Sequence, residues 1–305
     1  MRNRSLPSPP HVADRSLSRP SPDDASTPHA ARVLRLTAQR VFVVGWLLLA
    51  PAFLLGSGIG ISGAEAGTRN ESSTPAPRAE DPGERLLLVE LFTSQGCSSC
   101  PPADRLLREL GERPGVVPLA FHVDYWNHLG WTDPFSSPKW SDRQRRYARW
   151  FDEDTIYTPQ LVVGGSRHVV GSDRRNIDRA LDRERQGAPS AEAPMRTRLT
   201  VERGDRRLDA RLVAHDALPP DHRIHLALYE RNLEIRIGRG ENSGRTLEYD
   251  YVVRAFRAVS SGEATTFHLD PQWKADDLGV VAFLQDTTTG AVHSVTHSPA
   301  PGSRR

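Results

Sequence analysis

The chain has only two cysteines in 305 residues, Cys97 and Cys100, within Thr93-Ser94-Gln95-Gly96-Cys97-Ser98-Ser99-Cys100-Pro101-Pro102. A bridge across so short a ring stabilises by about 2 kcal/mol in the chain-entropy treatment, against about 3 kcal/mol for a 15-residue loop, so stapling is a poor reason for the spacing. What the spacing does allow is two sulfurs within reach of each other, in a bond that thiol exchange can make and break. An apolar, strand-like run precedes the pair and a helix-like run follows it. Cys97 therefore stands where a strand hands over to a helix, and backbone N–H groups and the positive helix end favour a thiolate there. A thiol of pKa near 8.5 is about 3% ionised at pH 7, whereas one near 7 is about half ionised. Cys97 is expected as the outward, attacking sulfur and Cys100, one turn in, as the resolving one.

Thr158-Pro159 is the second element. An X-Pro bond at the head of a strand is a place where the cis form occurs, at a cost of about 0.5–1 kcal/mol. Proline cannot donate to the ladder, which leaves the Thr158 backbone groups to pair with an extended substrate chain. His122 and Asp124 lie at the end of the second strand as candidates for relaying a proton to the inner sulfur, with ordinary loop residues as the competing reading. Two further readings of the cysteines stand beside exchange. One is a permanently oxidised structural pair. The other is half of a tetrahedral zinc or copper shell completed by His122 and His128. With no second Cys-x-x-Cys, and Pro101 where c-type haem attachment needs a His, no metal and no cofactor is assigned.

The elements around these residues follow from periodicity. Leu86–Phe92 is a nearly continuous apolar run, expected of a strand buried on both faces. Pro101 opens a helix with Leu106, Leu107 and Leu110 on its apolar face, and Val116–Val123 is the second strand. An aromatic loop, Asp124–Trp131, leads to Ser137-Pro138, an N-cap and N1 pair, after which Trp140, Tyr147 and Phe151 recur at helical spacing. Trp126, Trp131 and Trp140 either line a groove or pack a long insert. Arg143, Arg145, Arg146 and Arg149 read as a solvated helix surface. Gln160–Val163 and Arg167–Val170 form a hairpin about Gly164-Gly165, and Asp173 caps a last helix carrying Ile177, Ala180 and Leu181. The first two strands, joined by a helix, should be parallel.

Residues 187–194 mark a boundary. Beyond it the period becomes 2, in Arg196–Arg203, Arg207–Ala214, Arg223–Tyr229, Glu248–Val259, Thr265–Leu269, Leu278–Gln285 and Val292–His297. The histidines of this region (His215, His222, His225, His268, His293 and His297) show no metal-ligand spacing. Gly238–Arg245 is Gly-rich but precedes no helix, and reads as a plain loop rather than a phosphate cradle.

The order of elements, Cys97-Ser98-Ser99-Cys100 after the first strand and Thr158-Pro159 before the hairpin resemble a thioredoxin fold. The longer stretches Glu90–Asp104, Tyr157–Gln160, Gly240–Leu247 and Val252–Arg254 are similar to a secreted bacterial and plant family, domain of unknown function 1223. Its members pair a thioredoxin-like domain with a β-rich one. The resemblance covers about residues 85–297 and implies that fold and export. Ser98-Ser99 replaces the Gly-Pro usual in thioredoxins, and no Trp precedes Cys97.

Residues 1–66 read as a disordered leader plus signal peptide: a basic segment ending at Arg40, an apolar run over 41–61, and the small-x-small site Ala64-Glu65-Ala66. An uncleaved membrane anchor over 41–61 is the alternative. Residues 67–83 read as a linker. Seven of the 40 Lys+Arg but only four of the 38 Asp+Glu precede Gly67, so the remainder carries 33 cations against 34 acids and offers no basic surface for nucleic acid.

The expectation is therefore an α/β thioredoxin-like domain over 84–187 followed by a smaller all-β, sandwich-like domain over 194–298. It would be exported to the periplasm or outside the cell, and would meet a membrane only if the leader is retained. Its expected activity is exchange of disulfides with an exported protein client, with an unidentified redox recycling partner. The alternative is a non-enzymatic binding protein or metal carrier that uses the same cysteines.

Overall fold

The computed structural model describes residues 85–187 and 196–301, so the expected leader and linker lie outside the described residues. Among these described residues thirteen strands and three α-helices follow in order. The strands are β1 (Leu87–Thr93), β2 (Val116–His122), β3 (Gln160–Val163), β4 (Arg167–Val170), β5 (Thr197–Arg203), β6 (Arg207–Ala214), β7 (His222–Glu230), β8 (Leu233–Arg236), β9 (Thr246–Tyr249), β10 (Val252–Val259), β11 (Ala264–His268), β12 (Leu278–Asp286) and β13 (Val292–Ser298). The helices are α1 (Pro101–Gly111), α2 (Pro138–Trp150) and α3 (Arg174–Gln186).

The architecture is a sheet-dominated α/β arrangement. A mixed eight-stranded sheet runs β13-β12-β7-β10-β2-β1-β3-β4, and smaller sheets are formed by β11-β6-β5 and β8-β9. β1 and β2 are parallel, as a helical crossover requires, while β3 and β4 form the expected hairpin. Its turn residues, Gly164 (φ 58°) and Gly165 (φ 69°), both occupy left-handed backbone, which glycine adopts at no steric cost. Strands from both sides of residues 187–194 share the large sheet, because β10 joins β2 in parallel at Val252↔Ala120.

Every residue of β1 and of β2 is buried, as a run without alternation demands. On one face Leu87, Val89 and Leu91 meet Ala103, Leu107 and Leu110 of α1 and Ile177 and Leu181 of α3. Farther along the same face Leu226, Leu228, Val280 and Ala282 pack on Leu208, Leu212 and Phe267 of the three-stranded sheet. The other face carries Leu88, Phe92, Phe121, Ala227 and Phe283 against Trp140 and Tyr147 of α2.

Helix starts agree with their caps. Ser137 accepts from the Lys139 N–H ahead of Pro138, and Asp173 accepts from the Asn176 N–H. Two expectations are corrected. Glu248–Val259 is two strands, not one, because Tyr251 takes φ 59° and breaks the ladder between β9 and β10. Arg143 is not on a solvated surface. It is 1% exposed, and its guanidinium bonds Glu90 (2.7 Å), Gln285 and Tyr147 while lying over the rings of Phe121, Phe256 and Phe283.

Candidate functional site around the cysteine pair

β1 ends at Thr93, the chain turns through Ser94–Ser99, and α1 begins at Pro101 with Cys100 as its N-cap. Proline tolerates that first turn because its missing N–H would be unpaired there anyway. Successive turn bonds carry the chain around the loop: Cys97 N–H to Ser94 O (3.2 Å), Cys100 N–H to Cys97 O (3.2 Å) and Asp104 N–H to Cys100 O (3.1 Å). The sulfurs of Cys97 and Cys100 are joined as a disulfide, with Cα atoms 5.4 Å apart.

Cys97 was expected to face outward, and the structure places it otherwise. Both cysteines are 0% exposed, while Ser98 and Ser99 form the outer surface of the turn. A distant loop bonds the backbone of this turn. Asn242, itself fully buried, donates from Nδ2 to the carbonyls of Gln95 and Cys97, both at 2.9 Å, and Glu241 Oε2 accepts from the Ser98 N–H at 3.1 Å. Gly238–Arg245, which reads in the sequence as a plain loop, is thus a latch fastened to the backbone of the cysteine turn. Trp131 anchors it: its Nε1 donates to Gln95 Oε1 (2.9 Å), and a Cβ on Gly240 would come within 3.2 Å of the Trp131 side chain. Trp126 closes the other side, since a Cβ on Gly96 would sit 3.0 Å from the Trp126 Cβ. Trp140 belongs to the α2 core and packs edge-on to Phe121.

A buried polar cluster, the cysteine pocket, adjoins this turn. His122 is fully buried, and its Nδ1 is 2.7 Å from Asp133 Oδ2, which also accepts from the Gln95 N–H (2.9 Å). Asp133 Oδ1 accepts from the Phe135 N–H. Burial pushes the Asp133 carboxyl up, but His122 and these N–H groups outweigh it and hold it below the usual carboxylate range. Asp124 is not part of this pocket, because its carboxylate bonds Ser141. Of the two relay candidates, His122 therefore lies in this cluster with Asp133 as its carboxylate partner, and Asp124 lies apart from it.

Asp104, one turn along α1 from Cys100 and so on the same helix face, accepts from Thr93 Oγ1 at 2.8 Å. Burial drives its carboxyl up to about 7, against a smaller opposing pull from His122. Tyr249 closes the pocket, with its ring 5.1 Å from that of His122, and burial together with Asp104 and Asp133 raises its hydroxyl pKa. Asp104 Oδ2, His122 Nε2, Tyr249 Oη and Gln95 Nε2 are all buried without a hydrogen-bond partner among the described residues. The sequence offered one overlooked sign of this pocket, a lone acid four residues beyond Cys100 in an otherwise apolar helix face.

The Thr158–Pro159 bond is cis, and Pro159 is buried at the head of β3. Thr158 Oγ1 accepts from Trp126 Nε1 at 2.8 Å, which ties this segment to the loop that walls the cysteines. The metal-shell alternative does not assemble here. His128 is exposed and lies against the Tyr125 carbonyl, and Cys97, Cys100, His122 and His128 form no group of three metal donors. Among the described residues no helix is long and apolar enough to cross a membrane.

Comparison with known proteins shows what the chain is similar to. A protein from Agrobacterium tumefaciens, known from its crystal structure, is 28% identical; the match covers 73% of this chain and 98% of that one, with a TM-score of 0.54. A domain of an outer membrane lipoprotein from Porphyromonas gingivalis matches 35% of this chain and 88% of its own at 15% identity and a TM-score of 0.25, too distant to carry an inference. No functionally curated protein matches. The family described as "Protein of unknown function (DUF1223)" matches residues 88–285, which include the cysteine pair, the cis proline and the latch. The chain belongs to the DUF1223 family.

Proposed function

We propose that this protein is an exported, thioredoxin-like thiol–disulfide oxidoreductase that exchanges disulfides with an exported protein client. The observation that carries this reading is the closed Cys97–Cys100 bridge at a strand-to-helix turn, with a buried carboxyl of pKa about 7 one turn behind Cys100. A group poised near neutral pH can take and return a proton at the inner sulfur.

In the reducing direction the Cys97 thiolate attacks a client disulfide. A Cys97–client bond forms and one client sulfur leaves as thiolate. Asp104 takes the proton of Cys100, whose thiolate then attacks the Cys97 sulfur and expels the second client thiolate. Two electrons have passed to the client, and the bridge seen here remains. The reverse sequence oxidises a client dithiol. Thr158 and Pro159 flank the loop where an extended client segment would pair.

Neither sulfur is exposed, so exchange requires the Glu241–Asn242 latch to lift from Gln95–Ser98. The reading is tested by titrating thiols of the purified full chain after equilibration in glutathione buffers of graded potential. It holds if two thiols appear together in a single two-electron transition and reoxidise on return. A bridge that stays closed until the chain is denatured overturns it.

A further inference from the structure

A second group of side chains converges far from the cysteines in sequence. His222 is the first residue of β7 and Asp286 the last of β12, and they are direct partners in the antiparallel ladder. Between β12 and β13 the register passes from Leu284↔Ser294 to Gln285↔Val292, which leaves His293 as the extra residue of a β-bulge. Bulges re-aim a side chain and are enriched beside functional sites. Here one ligand atom from each of His222, Asp286 and His293 lies within 4.8 Å of the others, the two rings have centroids 4.8 Å apart, and all three residues are half-buried.

We propose that His222, Asp286 and His293 form a binding site for a divalent transition-metal ion, with Zn2+ the best-matched. Two imidazoles and one carboxylate suit a borderline ion, whereas calcium and magnesium call for oxygen donors throughout. Donors of a tetrahedral ion at about 2.0–2.1 Å stand roughly 3.3 Å apart, so a bound ion would draw ligand atoms already within 4.8 Å of one another closer together. Asp286 is already oriented. Thr288 N–H (2.6 Å), Thr288 Oγ1 (2.6 Å) and Thr289 N–H (3.2 Å) all bond its Oδ1, which leaves Oδ2 as the ligand oxygen. His222 Nδ1 is buried with no hydrogen-bond partner among the described residues, a need that an ion held on this nitrogen would meet.

The loop beyond Asp286 is held in place by Thr287, which donates from N–H and Oγ1 to the Asp221 carbonyl at 2.7 and 2.9 Å. Three protein ligands leave a coordination position open to water or to a ligand brought by a partner. The site shares no residue with the cysteine pocket and does not depend on its chemistry.

Titration of the oxidised full chain with Co2+, followed by its d–d absorption, tests the site. The expected result is one Co2+ per chain, displaced by one equivalent of Zn2+. Affinity should fall at least tenfold in each of H222Q, D286N and H293Q and stay unchanged in C97S/C100S. Should a variant fail to fold, histidine modification of the wild-type chain by diethyl pyrocarbonate supplies the answer: Zn2+ should protect His222 and His293 selectively. Absence of saturable binding, undiminished affinity in folded H222Q/H293Q, loss of binding in C97S/C100S, or equal modification with and without Zn2+ would each overturn the proposal.

Discussion

Two buried polar clusters sit on this sheet, and they are built in opposite ways. Around Arg143 the polar atoms are matched: the guanidinium meets Glu90, Gln285 and Tyr147, Tyr147 in turn bonds Glu90, and Gln285 Nε2 donates to Tyr147 Oη (2.9 Å) and the Gly290 carbonyl (2.7 Å). Around the cysteines, Asp104, His122, Tyr249 and Gln95 each keep a buried atom without a partner among the described residues. A satisfied network holds two segments together, here α2 to both β1 and β12. An unsatisfied one costs stability, and the cost has a use where a proton must be moved. The first cluster is scaffold and the second is the candidate site.

Removing one partner from the satisfied cluster should have the largest effect. Arg143→Ala strands the Glu90 carboxylate and should destabilise by about 3–5 kcal/mol in chemical denaturation. Replacing both charges, as in R143M/E90L, should recover most of that loss, which would show that matching rather than charge matters.

The cysteine pocket should respond in the opposite sense. The Asp104 carboxyl is raised from 3.8 to about 7 by burial, so between those values the folded chain holds a proton that the unfolded chain has lost. Stability from this group is therefore lost as pH rises from about 4 to 7, and stays lost above. Asp104→Asn should stabilise the fold by roughly 2–4 kcal/mol at pH 8 and much less at pH 4, while slowing exchange at the inner sulfur. Denaturation midpoints across pH 4–8 check the sign. A variant less stable at pH 8 would place Asp104 with the scaffold.

The latch comes next. Asn242→Ala removes the two hydrogen bonds to Gln95 and Cys97, worth about 0.5–1.5 kcal/mol each, and the one that its Oδ1 accepts from Arg245, so reduction of the bridge by an added thiol should quicken by about tenfold to a hundredfold if opening limits it. Glu241→Gln is the smallest change. It takes an anion away from the Ser98 N–H, beside the sulfur where a thiolate forms, and should lower the Cys97 thiol pKa in the reduced chain, as thiolate absorbance against pH would show.

How far the sequence revealed all this depended on range. Local signals were readable: the unbroken apolar run of β1, the caps Ser137 and Asp173, the Gly164-Gly165 turn, the cis position at Pro159 and the pairing of Cys97 with Cys100. What stayed hidden rests on contacts between distant residues. Arg143 sits in an Arg-rich helix whose other cations look alike, and its partners Glu90 and Gln285 are 53 and 142 positions away. Glu90, the one charge inside an apolar strand, was the sign that a buried cation was needed. The latch meets Ser98 across 143 positions, so nothing in Gly240–Arg245 taken alone marks it as a partner of the cysteine turn. His222, Asp286 and His293 have no ligand spacing along the chain because strand register and one bulge bring them together.

The central claim is that Cys97 exchanges bonds with a client, and covalent trapping tests it most directly. The reduced C100S full chain, mixed with a peptide disulfide and resolved by intact mass, should accumulate one adduct on Cys97 that added thiol releases. The C97S chain should accumulate none under the same conditions. Adducts in equal yield from both variants, or from neither, would contradict the account.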